Sequence, residues 1–159
     1  MHVNLPQQFK IVDASAGCVT TNGGFTCDYI TLKYAKRAWI VVSFTQAVGH
    51  ATVIQPQWAT GVLPAGAVSI TAVQNIWENE DTAASDTLVR QTAAVSLTVA
   101  ADVKKKHVII EIDPASFPAT FDVLGCTISD SSQANNYASV LYLVEQGYAQ
   151  GTPPVHITD

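Results

Sequence analysis

The chain has 159 residues and a formal net charge of −5, from eight Lys and Arg against thirteen Asp and Glu. Its length is that of one domain, enough to bury a core without help from metals or disulfides. Only 13% of the residues are charged and 48% are hydrophobic, which excludes intrinsic disorder and weighs against nucleic acid as a partner, because phosphate neutralisation needs clustered Lys and Arg.

A surface this short of charge implies that something else covers part of it. The opening residues Met1–Gln8 carry no basic region followed by an apolar run, so they do not read as a signal peptide. The apolar runs, such as Ala38–Val42 and Val108–Ile110, fall far short of the ~20 residues of a membrane-spanning helix. The expectation is synthesis in a cytoplasm and no membrane contact.

Val, Ile and Thr recur throughout, so β-structure is predicted. Phe9–Asp13 reads as a short first strand, after an arm formed by residues 1–8. The next signal is a turn at Asn22-Gly23-Gly24. Asn-Gly favours a two-residue type I′ hairpin. With Asn22 and Gly23 as the two turn residues, Cys18 directly faces Cys27, within reach of a disulfide. With Gly23-Gly24 in the turn, that pairing is lost. The plain alternative is two reduced cysteines. Cys126 reads as buried and inert.

Thr26–Tyr34 alternates cleanly and is predicted as a strand. Arg37–Gln46 is the strongest strand, with Trp39, Val41 and Ser43 on one face and Ile40, Val42 and Phe44 on the other. Apolar residues on both faces suggest a central strand buried on two sides. Ala51–Gln57 is a strand stopped by Pro56, and Gln57–Ala65 a loop or helical turn. Val68–Trp77 alternates weakly. Glu78–Asp86 is an acidic exposed loop, and Thr87–Gln91 with Ala94–Val99 reads as a pair of strands. Lys104–Lys106 breaks the pattern before a strand at His107–Asp113. Pro114–Pro118 is a tight connection. Thr120–Ser129 and Ala138–Gln146 complete the set.

The reading is a single all-β domain, an antiparallel, jelly-roll-like β-sandwich of eight to ten strands. Its core covers residues 9–149, with Trp39, Val41, Ile110, Ile112, Leu141 and Leu143 inside. Residues 150–159 form an extended tail, since Pro153-Pro154 cannot enter a sheet interior. Basic residues are missing between Ala38 and Val89, where Glu78, Glu80, Asp81 and Asp86 cluster. This layout suggests either a basic and an acidic pole for head-to-tail contacts or two solvated loops.

Signatures of chemistry are scarce. There is no Gly-x-Ser-x-Gly elbow, P-loop or dinucleotide fingerprint. His2, His50, His107 and His156 are far apart and form no zinc spacing. The acidic loop holds hard oxygen ligands for Ca²⁺ without EF-hand spacing. Glu111 and Asp113 share a strand face, the arrangement of a carboxylate pair or of ordinary outward residues. The expectation is no enzyme activity, no cofactor, and neither catalytic nor metal residues. Trp58 and Trp77 flank loops and are candidates for partner contact.

Taken in order, several segments resemble a family of small tailed-bacteriophage virion proteins encoded near the major capsid protein. They are Leu5–Ala14, Asp28–Lys33, Ala38–Val42, Ile76–Asn79, Asp86–Gln91, His107–Pro114 with Phe121-Asp122, and Ala138–Leu143 with the Tyr148–Pro154 tail. The cysteines and the Gly151–Asp159 tail depart from the family pattern. The resemblance implies a decoration (cement) or accessory head protein on the virion capsid surface. Its partners would be the major capsid protein and further copies of itself. Leu5, Pro6, Phe9, Trp58, Trp77, Tyr148, Pro153 and Pro154 are the expected interface, with both arms reaching neighbours by strand addition. The alternatives are a tail or head–tail connector component, or a carbohydrate- or receptor-binding module, which needs Trp58 and Trp77 exposed on one face.

Overall fold

The computed structural model describes residues 8–63 and 66–147. Thirteen strands in this region form two antiparallel sheets packed face to face, an all-β sandwich. The larger sheet runs, in spatial order, β1 (Phe9–Asp13), β13 (Tyr137–Gln146), β5 (Ala35–Thr45), β11 (Lys105–Ile112), β8 (Asn75–Asn79) and β9 (Val89–Arg90), with β2 (Val19–Thr20) also on β13. The smaller sheet runs β10 (Leu97–Val99), β6 (Thr52–Ala59), β12 (Val123–Ile128) and β3 (Phe25–Thr26). In it, β4 (Ile30–Thr31) also pairs with β12, and β7 (Val68–Ser69) with β6.

The period-2 pattern decides what lies between the sheets. Ala38, Ile40, Val42 and Phe44 of β5 point inward, as do Ala138, Val140, Tyr142 and Val144 of β13 and Val108, Ile110 and Ile112 of β11. They meet Ile54 and Trp58 of β6 and Leu124, Cys126 and Ile128 of β12. Ile110 and Ile112 are core residues, as expected. Trp39, Val41 and Leu143 are only half-buried and Leu141 is exposed. These four occupy the opposite face. Both faces of β5 are apolar, so the sequence pattern marks the strand without choosing its inner side.

Several expected strands are broken into pieces. Val68–Trp77 splits because β7 belongs to the smaller sheet and β8 to the larger. Of Thr26–Tyr34 only Thr26, the end of β3, and Ile30–Thr31 are strand, with Tyr34 in the left-handed region at φ 72°. β9 and β10 do not pair with each other; they lie in different sheets.

β6 runs through Pro56 rather than stopping there, and it includes Trp58 and Ala59. Pro56 lies opposite Cys126. The Cys126 carbonyl points the other way and accepts from the Cys27 N–H at 2.8 Å. Pro56 therefore faces Cys126 at a position where no ladder bond is exchanged. Its own carbonyl points away from β12 and accepts from the Ile70 N–H at 3.1 Å. The missing donor costs the β6–β12 ladder nothing, which is why a proline sits inside this strand.

The turn at residues 21–24 also departs from expectation. Its centre is Asn22-Gly23, closed by the Gly24 N–H on the Thr21 carbonyl at 3.1 Å. Gly23 has φ 85°, but Asn22 is not in the left-handed region, so the turn follows the type II pattern rather than type I′. Type II turns splay the flanking strands. Here β2 joins the larger sheet and β3 the smaller. Asp130 anchors the turn by accepting from the Gly23 and Ser132 N–H groups, both at 2.6 Å. The bonds from Ser132 and Gly23 hold its carboxyl below the ordinary carboxylate range.

Candidate functional site

The outer face of the larger sheet is unusually apolar for a surface. Ladder register places Leu141, Val41, Ile109 and Trp77 in one row across β13, β5, β11 and β8. The neighbouring row runs Ile11, Leu143, Trp39 and Glu111. Trp39, Val41, Trp77, Leu88, Ile109 and Leu143 line a shallow depression of about 360 Å³. Phe9 packs against Trp39 with ring centroids 6.1 Å apart. From β1 to β9 the face crosses five strand spacings, about 24 Å at ~4.8 Å each.

Polar rows bound this patch on both sides. On one side His107 lies beside Ser43, which lies beside Ser139. On the other, a chain of polar contacts crosses four strands. The Arg37 guanidinium meets Glu111 at 3.1 Å, Asn75 donates to the other Glu111 oxygen at 3.1 Å, and Arg90 donates to Asn75 at 2.8 Å. Lys36 and Glu145 add an exposed ion pair at 3.3 Å. Such surface pairs contribute little stability, ~0–1 kcal/mol each, but they fix which side chains project. An apolar centre with a polar rim is the general anatomy of protein interfaces.

Of the expected interface residues, the structure brings together Phe9 and Trp77 on this face. Trp58 is not there. It is 6% exposed and packs in the core against Phe117 and Phe121, with centroids 5.7 and 5.6 Å away. Its flanking glycine and proline suggest a loop, but β6 extends past Pro56 and carries Trp58 inward. Leu5, Pro6, Tyr148, Pro153 and Pro154, and with them both arms, lie outside the described residues. Trp39, Val41, Ile109 and Leu143 are the face residues the sequence pattern assigned to the core or left unassigned. The register of β5 against β11 and β13 is the information needed to find them.

Cys18 and Cys27 do not face each other. Cys18 is exposed beside β2 in the larger sheet, whereas Cys27 is buried beside β12 in the smaller; all three cysteines are free thiols. The splayed turn removes the hairpin register on which their pairing depends.

The carboxylates have local partners. Glu111 is held by Arg37 and Asn75. Asp113 lies beyond β11 and caps the short 3₁₀ turn Pro114–Ser116, accepting from the Ala115 N–H at 2.9 Å. They do not form an acid–base pair. In the acidic loop, Asp81 accepts from the Ala83 and Ala84 N–H groups and lies 3.8 Å from Lys104. Thr82 also donates to the Lys105 carbonyl at 3.0 Å. The acidic loop and the lysine run are therefore neighbours, not opposite poles. Among the described residues, no group of three or more His, Cys, Asp or Glu is gathered as a metal-ligand set.

Among the described residues, Glu78 and Lys106 are the charged side chains that are buried. Lys106 is fully buried and donates to the Ala100 carbonyl at 2.7 Å, with Asp102 at 3.9 Å. Glu78 is 5% exposed, and its Oε1 has no hydrogen-bond partner. Burial first, and then the charge of Glu80, push its carboxyl above the ordinary range, while Lys106 pulls the other way. A raised folded-state pKa favours folding below the unfolded carboxylate value, and that contribution is lost as pH rises through the folded value. Glu78→Gln is therefore expected to gain thermal stability over wild type as pH rises. Melting curves of both proteins from about pH 4 to about pH 8 check this; parallel curves count against it.

A comparison with known proteins finds no matching family model and no matching curated protein.

Proposed function

We propose that the protein is a non-enzymatic virion structural protein, a decoration (cement) protein that binds the outer surface of a tailed-phage head. The observation that carries this reading is the apolar outer face of the larger sheet with its polar rim. The low share of charge and the ordered, whole-chain resemblance to small phage head proteins support it. The major capsid protein and neighbouring copies of this chain are the partners, and the virion is the location. Specific interfaces of this type bury ~1,200–2,000 Å² in total around an apolar centre.

The test is co-sedimentation of the purified protein with bare capsids of its phage, followed by electron microscopy of the pellet. Stoichiometric density at regular lattice positions is the expected result. No capsid binding, with the protein at the neck or tail of intact virions, would favour the connector reading instead.

A second reading has one observation in its favour. Trp39 and Trp77 lie on the same outer face, beside Arg37, Glu111 and Asn75. Aromatic rings next to planar hydrogen-bonding groups suit a carbohydrate. Trp58 takes no part in such a platform, since it is buried. A glycan array that gives saturable binding lost in Trp39→Ala would favour the sugar.

A further inference from the structure

We propose that Cys27 and Cys126 are the disulfide site of this protein, closing a cross-strand bridge inside the sandwich when the chain meets an oxidising environment. Register sets the pair. Phe25 faces Ile128 and Thr26 faces Thr127, so the next step brings Cys27 opposite Cys126. The Cys27 N–H donates to the Cys126 carbonyl at 2.8 Å, continuing the ladder one residue beyond β3. Directly opposed residues of an antiparallel pair project to the same side. Here that side is the core: Cys27 is 3% exposed, Cys126 is fully buried, and both belong to one apolar cluster. The Cα atoms of a hydrogen-bonded pair lie ~5.5 Å apart, within the ~4.4–6.8 Å that a disulfide spans.

The thiols already interact. A hydrogen bond in which the protonated Cys126 thiol donates to Cys27, together with burial, pushes Cys126 well above its ordinary range. A thiol held protonated is a poor nucleophile, and Cys27 is shielded by burial, so no oxidant reaches the reduced pair while the sandwich stays shut. The way in is β3, a two-residue strand at the edge of the smaller sheet. Edge elements with so few bonds open at low free-energy cost, and such opening frees Cys27 first.

The oxidant is a low-molecular-weight disulfide such as oxidised glutathione. The Cys27 thiolate attacks its S–S bond and releases one small thiolate. Cys126 then gives its proton to water, and its sulfur displaces the second small thiolate from Cys27. Two S–H bonds are lost and one S–S bond forms. The small disulfide takes up two electrons and, with two protons, leaves as two thiols.

Oxidative refolding separates this pair from the other two pairings. The reduced, denatured chain is refolded in a glutathione redox buffer and its free thiols are then alkylated. Peptides are mapped by mass spectrometry without reduction. In an unfolded chain, loop statistics favour Cys18–Cys27 over Cys27–Cys126 by roughly 40-fold, from the three-halves power of a 9-residue against a 99-residue separation. A dominant Cys27–Cys126 bridge would reverse that bias and can come only from the folded register. It is expected in wild type and in Cys18→Ser, with a melting temperature above that of the reduced protein. Cys126→Ser is expected to lose it; if that variant does not fold, Cys18→Ser carries the test. A dominant Cys18–Cys27 bridge, glutathione adducts without an intrachain bridge, or three free thiols would overturn the proposal.

Discussion

Replacing Gly24 with alanine is expected to lower the melting temperature by roughly 10 °C, at ~2–4 °C per kcal/mol for a domain of this size. Two causes add. Gly24 sits at φ 66°, where a side chain costs ~1–2 kcal/mol. A Cβ there would also lie 2.8 Å from the Ile128 carbonyl oxygen and 2.9 Å from the Asp130 nitrogen. Both are backbone atoms just where β12 ends, so neither can swing aside, and overpacking of this kind costs ~1–3 kcal/mol. Gly23 is the internal control. Its φ is 85°, but nothing lies within 4 Å of its Cβ position. Gly23→Ala should therefore show the backbone cost alone. Thermal unfolding of the two variants, followed by circular dichroism, gives the contact contribution as a difference. Equal losses would mean that the close approach of the turn to β12 is not what requires glycine at 24.

The second large effect concerns binding. Val41→Lys combined with Trp77→Lys is expected to reduce capsid affinity by roughly 100-fold or more, since a central hot-spot residue contributes ~2 kcal/mol or above and each ~1.4 kcal/mol is tenfold. Both residues face outward in the middle of the sheet. A lysine there can lay its methylenes along the strand neighbours and keep its ammonium in water. The fold should survive, with a melting temperature within a few degrees of wild type. Leu63, 75% exposed and absent from the apolar depression, supplies the control: Leu63→Lys should bind normally. Quantitative co-sedimentation across a protein titration reads all three. Unchanged binding by the double variant would remove the outer face from the contact.

The sequence pattern was a good guide to where strands lie and a poor guide to which way they face. Phe9–Asp13 coincides with β1 to the residue, and the patterns at Arg37–Gln46, His107–Asp113, Thr120–Ser129 and Ala138–Gln146 mark β5, β11, β12 and β13. Alternation cannot orient a strand whose two faces are both apolar. Trp39, Val41, Leu141 and Leu143 look as core-like as Ile40, Val42, Val140 and Tyr142. Only the partners across the sandwich distinguish them. Tyr142 settles β13: it is fully buried, with its hydroxyl donating to the Asp28 carbonyl at 3.0 Å. The same limit hid the outer face. Four of its side chains have the pattern of core residues, and Trp58, between Pro56 and Gly61, has that of a surface one. Turn chemistry was half legible. Asn22-Gly23 marked the turn, but the dipeptide does not say whether its flanks stay together. Sheet membership is a long-range property, and here it also decided which cysteine meets Cys27.

β13 is the last strand described, yet it lies between β1 and β5 inside the larger sheet. During synthesis, neither of those strands has this neighbour until residues 137–146 have emerged. Until then β5 offers the nascent chain an unpaired ladder with apolar side chains on both faces. Chains that must wait for such distant pairings fold slowly and expose sticky edges while they wait. The sandwich can therefore close only as a late, cooperative event, and until it does the apolar faces of β5 are the surfaces needing protection.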